Sequence, residues 1–85
     1  MDEDLLADLL KAVEQQLSST DTPYVRKAFD RMVELGVEVM EAKTQIALCL
    51  GDQMDTILRS KRPFDEKAYQ ASLDQLPMAE EQDSD

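Results

Sequence analysis

Apolar residues recur along this chain at spacings of three and four, the period of an α-helix, in four separate segments. No segment alternates apolar and polar residues as a half-buried strand does, and none carries a hairpin turn signal. The pattern therefore predicts an all-α protein, a small bundle of about four helices at positions 4–18, 23–35, 38–60 and 66–76. The predicted buried positions of the first helix are Leu5, Leu6, Leu9, Leu10, Val13 and Leu17.

Residues with strong end preferences mark where the predicted helices begin and end. Thr22 stands before a proline and is predicted to cap the second helix, and Gly36 is predicted to end it in a left-handed conformation. Asp65 is the predicted N-cap of the fourth helix. Phe64 and Tyr69 flank that cap at the two positions of a hydrophobic staple, so we expect their rings to touch.

The two central helices have predicted apolar stripes of their own. In the third helix Gly51 interrupts the stripe at a cost of about 1 kcal/mol relative to alanine, which indicates a close approach of another part of the chain. The stripe of the second helix consists of Val25, Ala28, Phe29, Met32, Val33 and Leu35. The stripe of the third helix consists of Ala42, Ile46, Cys49, Leu50, Met54, Ile57 and Leu58.

Charge divides the 85 residues into a domain and a tail. The net charge is −10, and seven of the 19 acidic residues lie in the first four and last six positions. Positions 5–77 carry 12 acidic and 9 basic residues, which leaves a net charge of only −3. We therefore predict a single helical domain over 1–77 and a disordered acidic tail over 78–85.

The composition argues against most catalytic chemistry. The chain has no histidine and one cysteine, so it lacks imidazole bases, imidazole metal ligands and intrachain disulfides. Cys49 lies on an apolar stripe and is predicted to be a core residue. We expect no enzyme activity and no cofactor, and low cysteine content without a signal peptide favours a cytoplasmic location. The net negative charge argues against direct binding to nucleic acids or membranes.

Two charged clusters are candidate binding sites. The basic cluster Arg59, Lys61 and Arg62 could contact an anion, but it also suits the negative end of the third helix, which is the favoured interpretation. Whether it binds an anion stays open. A set of carboxylates could be imagined around a metal ion, yet its members mostly fall off the apolar stripes and are better explained as a solvated face. These carboxylates are Glu34, Glu38, Glu41, Asp52 and Asp55.

Broad apolar faces on the first and third helices indicate an interaction surface. Four short helices enclose little interior, so we expect part of these faces to be covered by a second copy of the chain or by another protein. A symmetric homodimer is the simplest form. The candidate interaction surface consists of Leu6, Leu10, Val39, Met40 and Met54.

The stretch from Pro23 to Pro77 resembles a bacterial family of small all-helical proteins of unknown function. The most specific part is Arg62-Pro63-Phe64-Asp65, followed by Tyr69 and by Leu76-Pro77. The resemblance implies a helical fold and a bacterial origin, and it implies no activity or site residue.

Two functions therefore stand as hypotheses. The first is a non-enzymatic helical protein–protein interaction module. The alternative is an acidic inhibitor or nucleic-acid mimic that occupies a basic groove of its partner. The small net charge of positions 5–77 favours the first, because a mimic needs acidic residues spread over its folded face.

Overall fold

A computed structural model describes residues 2–77, with side chains from Leu5 onward. Within that range the chain forms four helices and no strand, which confirms the predicted all-α bundle. Helix α4 ends two residues earlier than predicted, and the predicted acidic tail at 78–85 lies outside the described residues. The helices are α1 (Asp2–Ser18), α2 (Pro23–Glu34), α3 (Val39–Ser60) and α4 (Glu66–Asp74).

Two of the three predicted helix ends have the expected hydrogen bonds. Gly36 has φ 96°, and the N–H groups of Gly36 and Val37 donate back to the last turn of α2, which is the Schellman arrangement. The Asp65 carboxylate accepts from the Ala68 N–H at 3.1 Å. Thr22 is the N-cap residue of α2, as predicted, but its side chain makes no cap hydrogen bond: the hydroxyl donates to the Gln16 carbonyl at 3.0 Å and so ties the start of α2 to α1.

The two middle helices organise the packing. Helices α2 and α3 each pack against the other three, whereas within residues 2–77 the backbones of α1 and α4 do not come close to each other. Leu9 of α1 lies against Gly51 of α3, where an added Cβ would stand 3.1 Å from Leu9 Cδ1. This contact is the close approach predicted for Gly51. The core consists of Leu9, Val13, Val25, Ala28, Met32, Ala42, Ile46, Ala47, Cys49, Leu50, Tyr69, Leu73 and Leu76.

Several predicted core positions are instead exposed. On α3, Gln45 and Gln53 are buried in place of Met54 and Leu58, and Leu58 is 78% exposed. The reason is that the buried face of α3 is centred on Ala42 and Cys49, and no neighbouring helix of the described chain covers the side on which Leu58 lies. The other predicted stripe positions that the structure leaves exposed are Leu5, Leu6, Val33 and Leu35.

Polar side chains fix α4 against the first two helices. The Tyr69 hydroxyl donates to Gln16 Oε1 of α1 at 2.7 Å. The Tyr24 hydroxyl donates to Glu66 Oε2 at 2.8 Å. Partial burial, followed by this hydrogen bond, raises the pKa of Tyr24 to about 12. Both bonds involve the first turns of α4.

Arg31 of α2 holds the other end of α4. Its Nη2 donates to the carbonyls of Leu73 at 2.6 Å and Leu76 at 3.0 Å. The Leu73 carbonyl, in the last turn of α4, also accepts from the Leu76 N–H at 3.1 Å, and Leu76 itself lies two residues beyond the end of the helix. The guanidinium also lies at the negative end of the helix dipole. Helix α4 is therefore held at both ends by side chains of other helices.

Candidate partner-binding groove

A groove of about 890 Å³ runs over α3 between the start of α1 and the end of α4. The Tyr69–Gln16 hydrogen bond joins α1 and α4, although their backbones stay apart along the described chain. The space between them is the groove. Its lining residues are Leu5, Leu9, Leu48, Cys49, Gly51, Asp52, Asp55, Ser72, Gln75, Leu76 and Pro77.

The groove is apolar in depth and has two exposed leucines at its surface. Leu9, Cys49 and Leu76 are buried core residues that close it from below, while Leu5 is 57% and Leu48 is 50% exposed. An isolated exposed leucine is ordinary on a protein surface. Here the two exposed leucines share one concave surface with buried apolar neighbours, which is the usual composition of a binding site.

Leu48 is not among the residues that the sequence predicts for a stripe or an interaction surface. It is a member of the uninterrupted apolar run Ile46-Ala47-Leu48-Cys49-Leu50. Five consecutive apolar residues extend more than a full turn around a helix, so the run cannot be buried by one core face alone. This run was the available signal that α3 has an apolar patch away from the core.

Cys49 closes the groove from below with a protonated thiol. The side chain is buried, and burial followed by the negative charge of Asp52 raises the pKa of the thiol. A nucleophilic cysteine requires the opposite shift, because the thiolate is the reactive form. The structure therefore confirms Cys49 as a core residue.

Acidic residues border the apolar surface. Asp52 and Asp55 line the groove from α3, and both are exposed. Asp55 pairs with Arg59 at 3.1 Å, one turn further along the same helix. Among the described lining residues there is no lysine or arginine. The border of the groove is thus negative.

The predicted interaction surface does not form one patch. Val39 and Met40 lie exposed at the start of α3, and the exposed Met54 is about 21 Å further along that helix. On α1, Leu6 is exposed, whereas Leu10 is partly buried and packs against the core. None of the five lines the groove.

The basic cluster at the end of α3 is divided among three environments. Arg59 is engaged with Asp55, and Lys61 is the left-handed residue (φ 56°) whose N–H donates to the Ile57 carbonyl and ends the helix. Arg62 lines a smaller groove of about 540 Å³ beside Phe64. The three cations therefore do not converge on one point.

Within the described part of the chain, no three cysteine, aspartate or glutamate side chains form a group that could hold a metal ion. None of its helices has the length and apolar character needed to cross a membrane. Comparison with known proteins found no match to a family model, to a curated protein or to a solved structure.

Proposed function

We propose that this chain is a non-enzymatic helical protein–protein interaction module that binds a partner in the groove between α1 and α4. The observation that carries the proposal is the exposure of Leu5 and Leu48 in a concave surface closed from below by buried apolar side chains. Apolar side chains held in a concave site lose water when a partner binds, and this favours association.

The proposal assigns no catalytic group. Cys49, the single thiol, is held in its protonated form by burial and by the charge of Asp52. A cytoplasmic location and the bacterial family with the Arg62-Pro63-Phe64-Asp65 sequence belong to the same proposal. The alternative of an acidic mimic has less support, because positions 5–77 are close to electrical balance.

A photo-crosslinking experiment tests partner binding at this groove. Benzoylphenylalanine replaces Leu48 in the full chain, in cells that express the protein naturally, and the matched control carries it in place of Leu58. Both positions are exposed leucines on α3, but Leu58 lies outside the groove. We expect a protein adduct from position 48 and little from position 58, with the purified partner then binding the wild-type chain. Equal adducts at both positions, or none at 48, would contradict the proposal.

Self-association is a separate proposal that uses the exposed apolar residues outside the groove. Met40, Met54 and Val39 on α3 and Leu6 on α1 are exposed and are available for contact with a second copy. Because the net charge of −10 repels the two copies, the affinity of a homodimer should rise with salt. Sedimentation equilibrium from micromolar to millimolar concentration tests this. A mass of one chain throughout, at low and at high salt, excludes the homodimer.

A further inference from the structure

We infer that the groove binds a basic amphipathic α-helix from another protein; the inference rests on the function proposed above and names the class of partner. Three properties of the groove support it. They are the helical character of its walls, its length along α3 and the distribution of charge around it.

The groove is built to receive a helix rather than an extended strand. A bound strand needs a free sheet edge, and residues 2–77 contain no strand. A polyproline segment needs aromatic walls, and none of the described lining residues is aromatic. Helical walls with apolar side chains between them are the arrangement in which one more helix can lay its apolar face.

The length of the groove sets the number of anchoring residues. From Leu48 to Asp55, α3 borders it for about 10 Å, or two helical turns. A partner helix would place three apolar side chains in this length, at positions i, i+3 or i+4, and i+7. Leu5 and Leu48 are the exposed surfaces on which these anchors would pack.

More acidic residues stand next to the groove-lining residues in the sequence. The residues at positions 2–4, all acidic, directly precede Leu5, which lines the groove. The sequence after Pro77, another lining residue, contains four more acidic residues. Within the described chain, Asp52 and Asp55 supply the negative charge at the border of the apolar site.

This charge favours a basic partner over other occupants. A second copy would bring another net charge of −10 to a negative border. The chain's own residues 78–85 contain four acidic residues and one large apolar residue, Met78, so they would be repelled by Asp52 and Asp55. A helix with lysine or arginine beside its apolar stripe could pack that stripe in the groove and pair its cations with the acidic border.

A synthetic peptide can serve as the probe. We would use a fluorescein-labelled helix of about 18 residues made of leucine, lysine and alanine, with the leucines on one face. One control peptide has the same composition with leucines distributed around the helix, and another has glutamate in place of lysine. Fluorescence anisotropy with the full chain should show binding of the basic amphipathic peptide and at least about tenfold weaker binding of both controls.

Protein variants locate the binding site. Leu48→Lys should weaken binding of the basic peptide at least about tenfold, while Leu58→Lys, the matched control on the same helix, should change it less than about twofold. Both positions are exposed, so circular dichroism should show both variants folded. Replacing Glu80, Glu81, Asp83 and Asp85 with their amides should weaken binding in about 50 mM salt and have little effect in about 500 mM salt, because salt screens the charges.

The outcomes separate this inference from the proposed function. Equal binding of the acidic peptide, equal binding of the scrambled peptide, or equal effects of Leu48→Lys and Leu58→Lys would overturn the basic-helix inference. A dimer that Leu48→Lys dissociates would overturn it in favour of a second copy. A crosslinked partner at position 48 without a basic helix would leave the proposed function standing and refute only the inference.

Discussion

Arg31 stabilises the end of α4 beside the groove, and its replacement tests how much the fold depends on that contact. Its guanidinium reaches from α2 to the carbonyls of Leu73 and Leu76, and Leu76 forms part of the groove wall. We predict that Arg31→Met destabilises the fold by about 2–3 kcal/mol. Methionine keeps the apolar stem of the side chain and removes the donors together with the positive charge.

The magnitude follows from two charge-assisted hydrogen bonds. Each hydrogen bond to a charged group contributes about 1.5–3 kcal/mol to the free energy of unfolding. Two such bonds sum to about 3–6 kcal/mol. Arg31 is only partly buried, so water can replace part of the bonding, and the Leu73 carbonyl keeps the hydrogen bond from the Leu76 N–H. The expected total of about 2–3 kcal/mol therefore lies at or below the low end of that sum. A loss of about 2–3 kcal/mol corresponds to a decrease in Tm of about 8–24 °C for a domain of this size.

Urea unfolding followed by circular dichroism at 222 nm measures this loss. Arg26→Met is the matched control, because Arg26 lies on the same helix and makes an exposed ion pair with Asp30 at 3.1 Å. That pair is worth about 0.3–0.5 kcal/mol. Arg31→Lys should recover part of the loss, since an ammonium keeps the charge but not the fork of donors. If Arg31→Met costs no more than Arg26→Met, α4 does not depend on the contact.

Three further predictions concern local features. Gly36→Ala should cost about 1–2 kcal/mol in urea unfolding, because an alanine at φ 96° is strained even though no atom lies within 4 Å of its Cβ. Phe64→Ala should lower the free energy of unfolding by about 1 kcal/mol, because Phe64 is 43% exposed and stabilises mainly through its contact with Tyr69, at 5.6 Å between ring centroids. A loss of about 3 kcal/mol or more would instead make Phe64 a core residue. The free energy of unfolding should fall as pH rises above about 9. Burial raises the pKa values of Cys49, Tyr24 and Tyr69 in the folded chain, so the unfolded chain releases these protons at lower pH. Equal free energies of unfolding from urea titrations at pH 8 and pH 10.5 would contradict this prediction.

The helix boundaries could be predicted because local residues determine them. Gly36 can adopt a positive φ without strain, and Asp65 can accept a hydrogen bond from the first turn of a helix, whatever the rest of the chain does. Thr22 shows the limit of such signals. Its hydroxyl had a second possible partner on another helix, the Gln16 carbonyl, which only the tertiary packing could reveal.

The buried face of α3 was predicted only in part. Periodicity identified Ala42, Ile46 and Cys49, but hydropathy favoured Leu58 over Gln53 near the end of the helix. In the fold, Gln53 lies under the connection that leads to α4, beside the smaller groove, and is buried by position rather than by polarity. Which side of a long helix is covered depends on where its neighbours end, and hydropathy alone does not carry that information.

The groove lies where α1 extends further than α4 from the point at which Gln16 and Tyr69 join the two helices. From the contact of Gln16 with Tyr69, α1 continues for about 16 Å to Leu5, whereas α4 continues for only about 8 Å before it ends at Asp74. Arg31 donates to the carbonyls of Leu73 and Leu76 and so holds the end of α4 against α2. The length of α1 beyond the end of α4 is about one and a half turns, so a partner helix of two or three turns would extend the bundle along the part of α1 that α4 leaves uncovered.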